Sequence, residues 1–148
     1  MEGIIFIGIQ ASGKSTFFKE KFFNSHVRIS LDVLNTRNKE RQLLNKCLEL
    51  QQRVVIDNTN PTQEDRAKYI LKFKEYKYKV IGFYFKSRIE ESLRRNSLRV
   101  KKEKIPDKGI LATYKRMELP NMNEGFNELY YVEIINNDFS IKEWKNEV

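Results

Sequence analysis

The chain is poor in the residues that build disulfide-bonded, zinc-binding or membrane-spanning proteins. Its 148 residues include one cysteine, one histidine, three prolines and six glycines. Cys47 cannot form an intrachain disulfide, and its helical spacing with neighbouring leucines is typical of a core residue. His26 has no metal-ligating neighbours in the sequence. Apolar runs stay well short of the roughly 18 residues of a membrane span, so we expect no membrane partner.

Positive charge is what the chain has in excess. Lysine and arginine total 28 against 20 aspartates and glutamates, a formal net charge of +8 that favours polyanionic partners. The length fits one compact domain, and no repeat or flexible linker divides it, so we expect residues 1–148 to form a single domain. Because the first apolar segment begins at residue 3, we expect no signal peptide and a cytoplasmic protein.

Strand-like and helix-like segments alternate along the chain. We predict strands over 3–9, 27–30, 53–57, 78–85 and 128–135. We predict helices over 14–24, 32–51, 61–76, 89–102 and 105–117, and a short terminal helix carrying Ile141, Trp144 and Val148 on one face. On that face Trp144 is interpreted as a packing residue rather than a base-stacking one. The strands are apolar throughout, which indicates an α/β fold with a parallel sheet covered on both faces.

Residues 8–15, Gly-Ile-Gln-Ala-Ser-Gly-Lys-Ser, have the spacing of a phosphate-binding loop between a strand and a helix. Such a loop turns successive backbone N–H groups toward an anion, so we predict a nucleoside triphosphate as ligand. Lys14 would reach the β- and γ-phosphates, and the Ser15 hydroxyl would hold Mg²⁺. The predicted nucleotide-binding residues are Gly8, Gln10, Ala11, Ser12, Gly13, Lys14, Ser15 and Thr16.

Two carboxylates lie where predicted strands end, at the sheet edge where parallel α/β sheets bind ligands. Asp57 ends the apolar run Val54-Val55-Ile56, so we predict contact with Mg²⁺; the alternative is a turn acid that bonds the backbone of residues 58–60. Asp32 stands at a predicted helix start. It could accept or orient the proton of an acceptor hydroxyl, or it could simply cap the helix.

A basic segment spans residues 86–104, with eight lysines and arginines against three acids. On one helix, Arg88, Arg95, Arg99 and Lys102 would share a face and could neutralise a transferring phosphoryl group. The alternative is a solvated face with Glu90–Arg94 and Glu91–Arg95 pairs. We predict an anion-binding lid.

Several groups of residues resemble the polynucleotide 5′-kinase domain of kinase–phosphatase repair proteins, within the zeta-toxin-like P-loop kinases. They are the loop 8–15, Ile29-Ser30-Leu31-Asp32, Val55-Ile56-Asp57-Asn58-Thr59-Asn60-Pro61 with Arg66 and Tyr69, and Arg95-Asn96-x-x-Arg99. Ile105-Pro106, Tyr114 and Glu124-Gly125-Phe126 extend the likeness to nearly the full chain.

The resemblance implies a three-layer P-loop kinase fold with a five-stranded parallel sheet in the order 2-3-1-4-5 and a basic lid helix. It implies ATP and Mg²⁺ as cofactors and phosphorylation of the 5′-hydroxyl end of DNA or RNA. By position, Asp32 would be the general base, Lys14 and Ser15 would contact ATP·Mg²⁺, and Arg95 and Arg99 would be catalytic lid arginines on the phosphates.

The chain departs from the family pattern on the acceptor side. Ser30-Leu31-Asp32 stands where many relatives have Asn-Arg-Asp, and Asn35 stands where some have an acceptor-binding arginine. Acceptor contacts would then involve Asp32 and Asn35 together with Arg37, Lys39 and Arg41. Gln10-Ala11 also replaces a common Pro-Gly. Two alternatives stay open: a toxin-type or antibiotic-type kinase acting on a small molecule or nucleotide sugar, and a non-catalytic ATP- or nucleic-acid-binding module.

Overall fold

A computed structural model describes residues 1–86 and 88–145. Within them six strands form one sheet: β1 Glu2–Ile7, β2 Val27–Ile29, β3 Val54–Ile56, β4 Lys79–Phe85, β5 Glu128–Ile135 and β6 Asp138–Glu143. Their spatial order is β2-β3-β1-β4-β5-β6; the first five are parallel, and β6 runs antiparallel to β5. The predicted α/β fold and the order 2-3-1-4-5 are therefore confirmed, with a sixth strand added at one edge.

The helices cover both faces of the sheet. They are α1 Lys14–Lys21, α2 Leu31–Leu34, α3 Arg37–Glu49, α4 Gln63–Glu75, α5 Ile89–Ser97 and α6 Asp107–Arg116. Side chains alternate across β1, so Ile5 packs with Leu48 of α3 and Phe73 of α4, while Phe6 packs with Phe17 of α1 on the opposite face. In the part of the chain that is described, no helix combines the length and apolarity needed to cross a bilayer.

The predicted helix over 32–51 is wrong, because the chain breaks it at Asn35. This residue adopts the left-handed conformation (φ 70°) and closes α2 with a bond from its N–H to the Leu31 carbonyl at 2.8 Å. The Thr36 side chain then caps α3 by accepting from the Lys39 N–H at 3.2 Å. As a result, α2 is a single turn that follows β2 directly.

The predicted terminal helix is also wrong. Asn136 and Asn137 both have positive φ (52° and 66°), as a tight hairpin turn requires, and the chain returns as β6, where Ile141 pairs with Val132. Trp144 packs against the ring of Tyr84, with 5.3 Å between ring centroids. Val148 lies outside the described residues.

Candidate active site

The phosphate-binding loop joins β1 to α1 and has the backbone shape of an anion cradle. Ala11 (φ 60°) and Gly13 (φ 98°) are both left-handed, which turns successive N–H groups inward. At Gly8, a Cβ would lie 2.9 Å from Ser12 Oγ, so the loop needs glycine there. Ser12 Oγ is buried and has no hydrogen-bond partner in the described chain. A loop with free buried donors fits a phosphate ligand.

Lys14 is held inside this loop. Its Nζ donates to the carbonyls of Gly8 at 2.9 Å and Ile9 at 2.7 Å. Burial lowers the pKa of Lys14 to about 8; the nearby Asp57 and Asp32 carboxylates oppose this shift and the Arg99 guanidinium adds to it. The ammonium therefore lies within electrostatic reach of all three predicted site residues.

A cleft of about 330 Å³ opens beside the loop, and Asp32 is an exposed residue on its wall. The helix cap here is Ser30, whose Oγ accepts from the Asp32 N–H at 3.3 Å. The alternative that Asp32 is only a cap is therefore wrong. The Asp32 carboxylate is therefore an exposed group on the wall of the cleft that does not serve as the helix cap.

Asp57 is buried at the floor of the cleft and contacts two side chains. Its Oδ2 accepts from Ser15 Oγ at 3.2 Å and from Arg28 Nε at 2.7 Å, and Arg28 Nη2 donates to Ser15 Oγ at 2.9 Å. The Ser15 hydroxyl and the Asp57 carboxylate are hard oxygen ligands of the kind Mg²⁺ takes in kinases together with substrate phosphates, so the pair fits this ion. Arg28 is a residue that the sequence analysis missed.

A polar network beside α2 connects the loop after β3 with the start of α2. Asn58 Oδ1 accepts from the Leu31 N–H at 2.9 Å, and its Nδ2 donates to Glu40 Oε2 at 2.8 Å. The other oxygen of Glu40 accepts from Tyr69 Oη at 2.7 Å and Arg37 Nη1 at 3.2 Å. Burial and this hydrogen bond raise the pKa of Tyr69. Glu40, itself buried, thus ties α3 and α4 to the turn that carries Asp32.

Arg66 and Glu124, both part of the resemblance, form a structural pair rather than a ligand site. The fully buried Arg66 donates to both oxygens of Glu124, at 2.8 and 3.0 Å, and to the Asn60 carbonyl at 3.0 Å. Asn60 in turn donates to the Phe6 carbonyl at 2.7 Å. These bonds fix the loop after β3 against β1, next to the phosphate-binding loop.

The structure brings Arg95 and Arg99 close to the phosphate-binding loop. Arg95 Nη1 donates to the Ala11 carbonyl at 3.5 Å and Nη2 to Glu91 at 3.3 Å, while Arg99 lines the cleft. Asn96 holds the connection between α5 and α6 because its Oδ1 accepts from the Ile105 N–H at 2.9 Å.

The expected single basic face is wrong because α5 ends at Ser97, before Arg99 and Lys102. Lys102 is exposed, and Arg88 lines a separate cavity with Lys86 and Glu133.

The predicted acceptor residues are divided between the cleft and its surroundings. Asp32 and Arg37 line the cleft. Asn35 instead donates from Nδ2 to the Val33 carbonyl at 3.2 Å, Lys39 is exposed on α3, and Arg41 lies in the groove between α3 and α4.

Three further side chains reach the site without a sequence signal that would have identified them. Asp65 and Arg116 line the cleft. The third, Thr113, accepts at Oγ1 from Nε2 of the predicted residue Gln10 at 2.9 Å and so links α6 to the loop. A second cavity of about 410 Å³ lies on the other side of the loop, between Thr16, Arg95 and the β5–β6 turn.

Comparison with known proteins supports a kinase-like domain. No family model matches the chain. It is 28% identical over 129 residues to a bifunctional polynucleotide phosphatase/kinase of Schizosaccharomyces pombe; the match covers 84% of this chain and 32% of that protein. The chain thus spans about a third of the length of this relative.

Solved structures share the fold. The chain is similar to the Kti12 protein of Chaetomium thermophilum, solved with ADP-AlF3 (TM-score 0.62, 16% identity, covering 88% of each chain). It is also similar to a gluconokinase of Sinorhizobium meliloti (TM-score 0.59, 16% identity, 89% of this chain and 82% of that one). A third match is the PezAT toxin–antitoxin system of Streptococcus pneumoniae (TM-score 0.62, 15% identity, 89% and 68%).

Proposed function

We propose that this chain, a P-loop kinase-like domain, transfers the γ-phosphoryl group of ATP to the 5′-hydroxyl end of DNA or RNA. The observation that carries the proposal is that the Asp32 carboxylate, which does not cap its helix, and the buried Lys14 ammonium line one cleft beside the phosphate-binding loop. The acceptor class is supported by the similarity to the Schizosaccharomyces pombe relative, a bifunctional polynucleotide phosphatase/kinase.

The donor side of the site is suited to a nucleoside triphosphate. The left-handed residues Ala11 and Gly13 and the unpartnered Ser12 hydroxyl offer donors to the phosphates, and the cavity beside Thr16 has room for the nucleoside. Ser15 and Asp57 would hold Mg²⁺, which neutralises phosphate charge when bound.

On the acceptor side, Asp32 orients the 5′-hydroxyl and takes its proton as the oxygen attacks the γ-phosphorus. The new bond joins the 5′-oxygen to phosphorus, the bond from phosphorus to the β–γ bridging oxygen breaks, and ADP leaves with that electron pair. Lys14 and Arg99 stabilise the negative charge on the transferring group, because both face the cleft where it forms.

The test offers ATP labelled in its γ-phosphate to a single-stranded oligonucleotide with a 5′-hydroxyl. The same oligonucleotide already phosphorylated at its 5′ end is the matched control, and a panel of sugars, including gluconate and nucleotide sugars, forms the second arm. We expect label on the 5′-hydroxyl strand alone. Label on a sugar instead would assign the domain to small-molecule kinases, and label on neither, with ATP still bound, would assign it to non-catalytic modules.

A further inference from the structure

A second basic feature lies beside the cleft, in the groove between α3 and α4. The groove has a volume of about 410 Å³ and an apolar floor formed by Leu44 and the ring of Tyr69, both almost fully buried. Its rim carries four cations, two from each helix: Arg37, Arg41, Lys68 and Lys72.

The two helices present these cations on facing sides. Arg37 and Arg41 are four residues apart on α3, as are Lys68 and Lys72 on α4, so each pair projects from one helical face. Across the described ranges, no ion pair involves Arg41, Lys68 or Lys72. These cations are available to a ligand, which indicates a polyanion.

The groove also carries a polar atom that lacks a partner. Asn45 Oδ1 is buried at the groove and accepts no hydrogen bond from any described residue. Lys68 is exposed, and its Nζ lies over the floor of the groove, 4.9 Å from the centroid of the Tyr69 ring. A ligand with both anionic groups and hydrogen-bond donors satisfies this combination, and a nucleic-acid strand has both.

The groove adjoins the cleft at Arg37, which lines both cavities. We propose that the α3–α4 groove binds the sugar–phosphate backbone of the acceptor strand, in the nucleotides that follow the one whose 5′-hydroxyl enters the cleft. This inference rests on the proposed function and adds that the domain recognises a strand rather than a terminal nucleoside alone. Basic grooves that follow the backbone are the common means of binding single strands without reading sequence.

The test measures binding of a fluorescent single-stranded 5′-hydroxyl oligonucleotide of about ten nucleotides by anisotropy at several salt concentrations. The groove variant is Lys68→Gln/Lys72→Gln. The control variant, Lys46→Gln/Lys74→Gln, removes the same charge from α3 and α4 outside the groove. We expect the groove variant to bind about tenfold more weakly, with a salt slope reduced by about one, and the control variant to bind like the wild type.

Equal weakening in both variants would overturn the proposal, since binding would then follow net charge alone. Unchanged binding in the groove variant would overturn it too. A third contradicting result is that the groove variant loses the binding of an acidic polyglutamate peptide but binds the oligonucleotide like the wild type. The groove would then serve a protein partner.

Phosphoryl transfer to a dinucleotide with a 5′-hydroxyl is measured separately. If the groove variant binds the oligonucleotide more weakly but the wild type transfers no phosphate, the groove proposal is supported and the kinase proposal is refuted. If the wild type transfers phosphate but the groove variant binds the oligonucleotide normally, only the groove proposal is refuted.

Discussion

The Arg28 guanidinium donates from Nε to Asp57 Oδ2 at 2.7 Å, and its Nη2 reaches the Ser15 hydroxyl at 2.9 Å. Arg28 therefore occupies the two oxygen groups that fit Mg²⁺. The Asp57 side chain is 2% exposed, so a nearby cation is needed to stabilise its carboxylate; Arg28 supplies one here, and Mg²⁺ would supply another when bound.

Replacing Arg28 should make stability depend on magnesium. Arg28→Met leaves a buried carboxylate unpaired, and we expect the free energy of unfolding in the presence of a chelator to fall by about 3 kcal/mol. Mg²⁺ should restore part of this loss, because both oxygen ligands become free for it. Denaturant titrations with and without Mg²⁺ measure the effect, with Arg53→Met, at an exposed site, as the control. An identical response to Mg²⁺ in wild type and Arg28→Met would contradict this account.

Nucleotide affinity should fall as the pH rises through about 8. The pKa of Lys14 lies near that value in the free protein, against an ordinary 10.5, because burial disfavours its charged form. Bound phosphates favour the charged form of Lys14, so above this pH the Lys14 amine must take up a proton when the nucleotide binds. The affinity for the nucleotide therefore weakens by up to about tenfold per pH unit. Calorimetric titration with ATP on either side of this pH measures the effect. Lys14→Met should bind weakly with a flatter profile, and an equally steep profile in that variant would assign the titration to another group.

The stability of the nucleotide-free protein should change with pH in the opposite direction, because the contribution of Lys14 to the free energy of unfolding should rise with pH. The folded state loses the Lys14 proton near pH 8, while the unfolded chain keeps it up to the ordinary value of 10.5. The unfolded state therefore binds more protons in this window, and the contribution of Lys14 to the free energy of unfolding rises with pH. Denaturant unfolding of wild type and Lys14→Met across the window tests the sign, and a contribution that falls with pH would contradict it.

Arg99 should act on the transferring group rather than on the acceptor. We expect Arg99→Ala to lower kcat by about a hundredfold and to change the acceptor KM much less, because Arg99 faces the cleft beside Lys14. Arg88→Ala is the matched control, since Arg88 lines a separate cavity with Lys86 and Glu133. A large rise in acceptor KM at unchanged kcat would place Arg99 in acceptor binding.

Glu40 should act as a positioning residue for the turn that carries Asp32. Glu40→Gln keeps the side-chain volume but replaces one of the two accepting oxygens with an amide donor, so either Asn58 or the pair Tyr69 and Arg37 loses its acceptor. We expect the free energy of unfolding to fall by about 1–3 kcal/mol and kcat to fall while the dissociation constant of ATP is unchanged. Glu49→Gln, at the exposed end of the same helix, is the control. Loss of stability with full kcat would reduce Glu40 to a structural role.

The central features of the fold could be predicted because their signals are local. The strand, loop and helix around residues 8–15 follow from the spacing of two glycines, a lysine and a serine, and the apolar runs indicate parallel strands. The terminal strand was missed because Ile141, Trp144 and Val148 have helical spacing, whereas the Asn136-Asn137 turn was the stronger signal.

The unpredicted parts of the site depend on contacts between distant residues. Arg28 and Asp57 are 29 residues apart, and nothing in the sequence around Arg28 distinguishes it from a surface arginine on a short strand. Glu40 likewise looks like an ordinary helix-start acid, and only the packing of α3 on α4 reveals that it binds Tyr69 and Asn58. Asp32 and Asp57 were found because parallel strands bring their carboxyl ends to one edge.

The most direct test is phosphoryl transfer by Asp32→Asn in a single turnover with a 5′-hydroxyl oligonucleotide, together with its ATP affinity. Asp65→Asn, a second carboxylate on the wall of the same cleft, is the control. We predict that Asp32→Asn binds ATP like the wild type but transfers phosphate about 10²–10⁴-fold more slowly, while Asp65→Asn stays close to the wild-type rate. Near-wild-type transfer by Asp32→Asn would contradict the account.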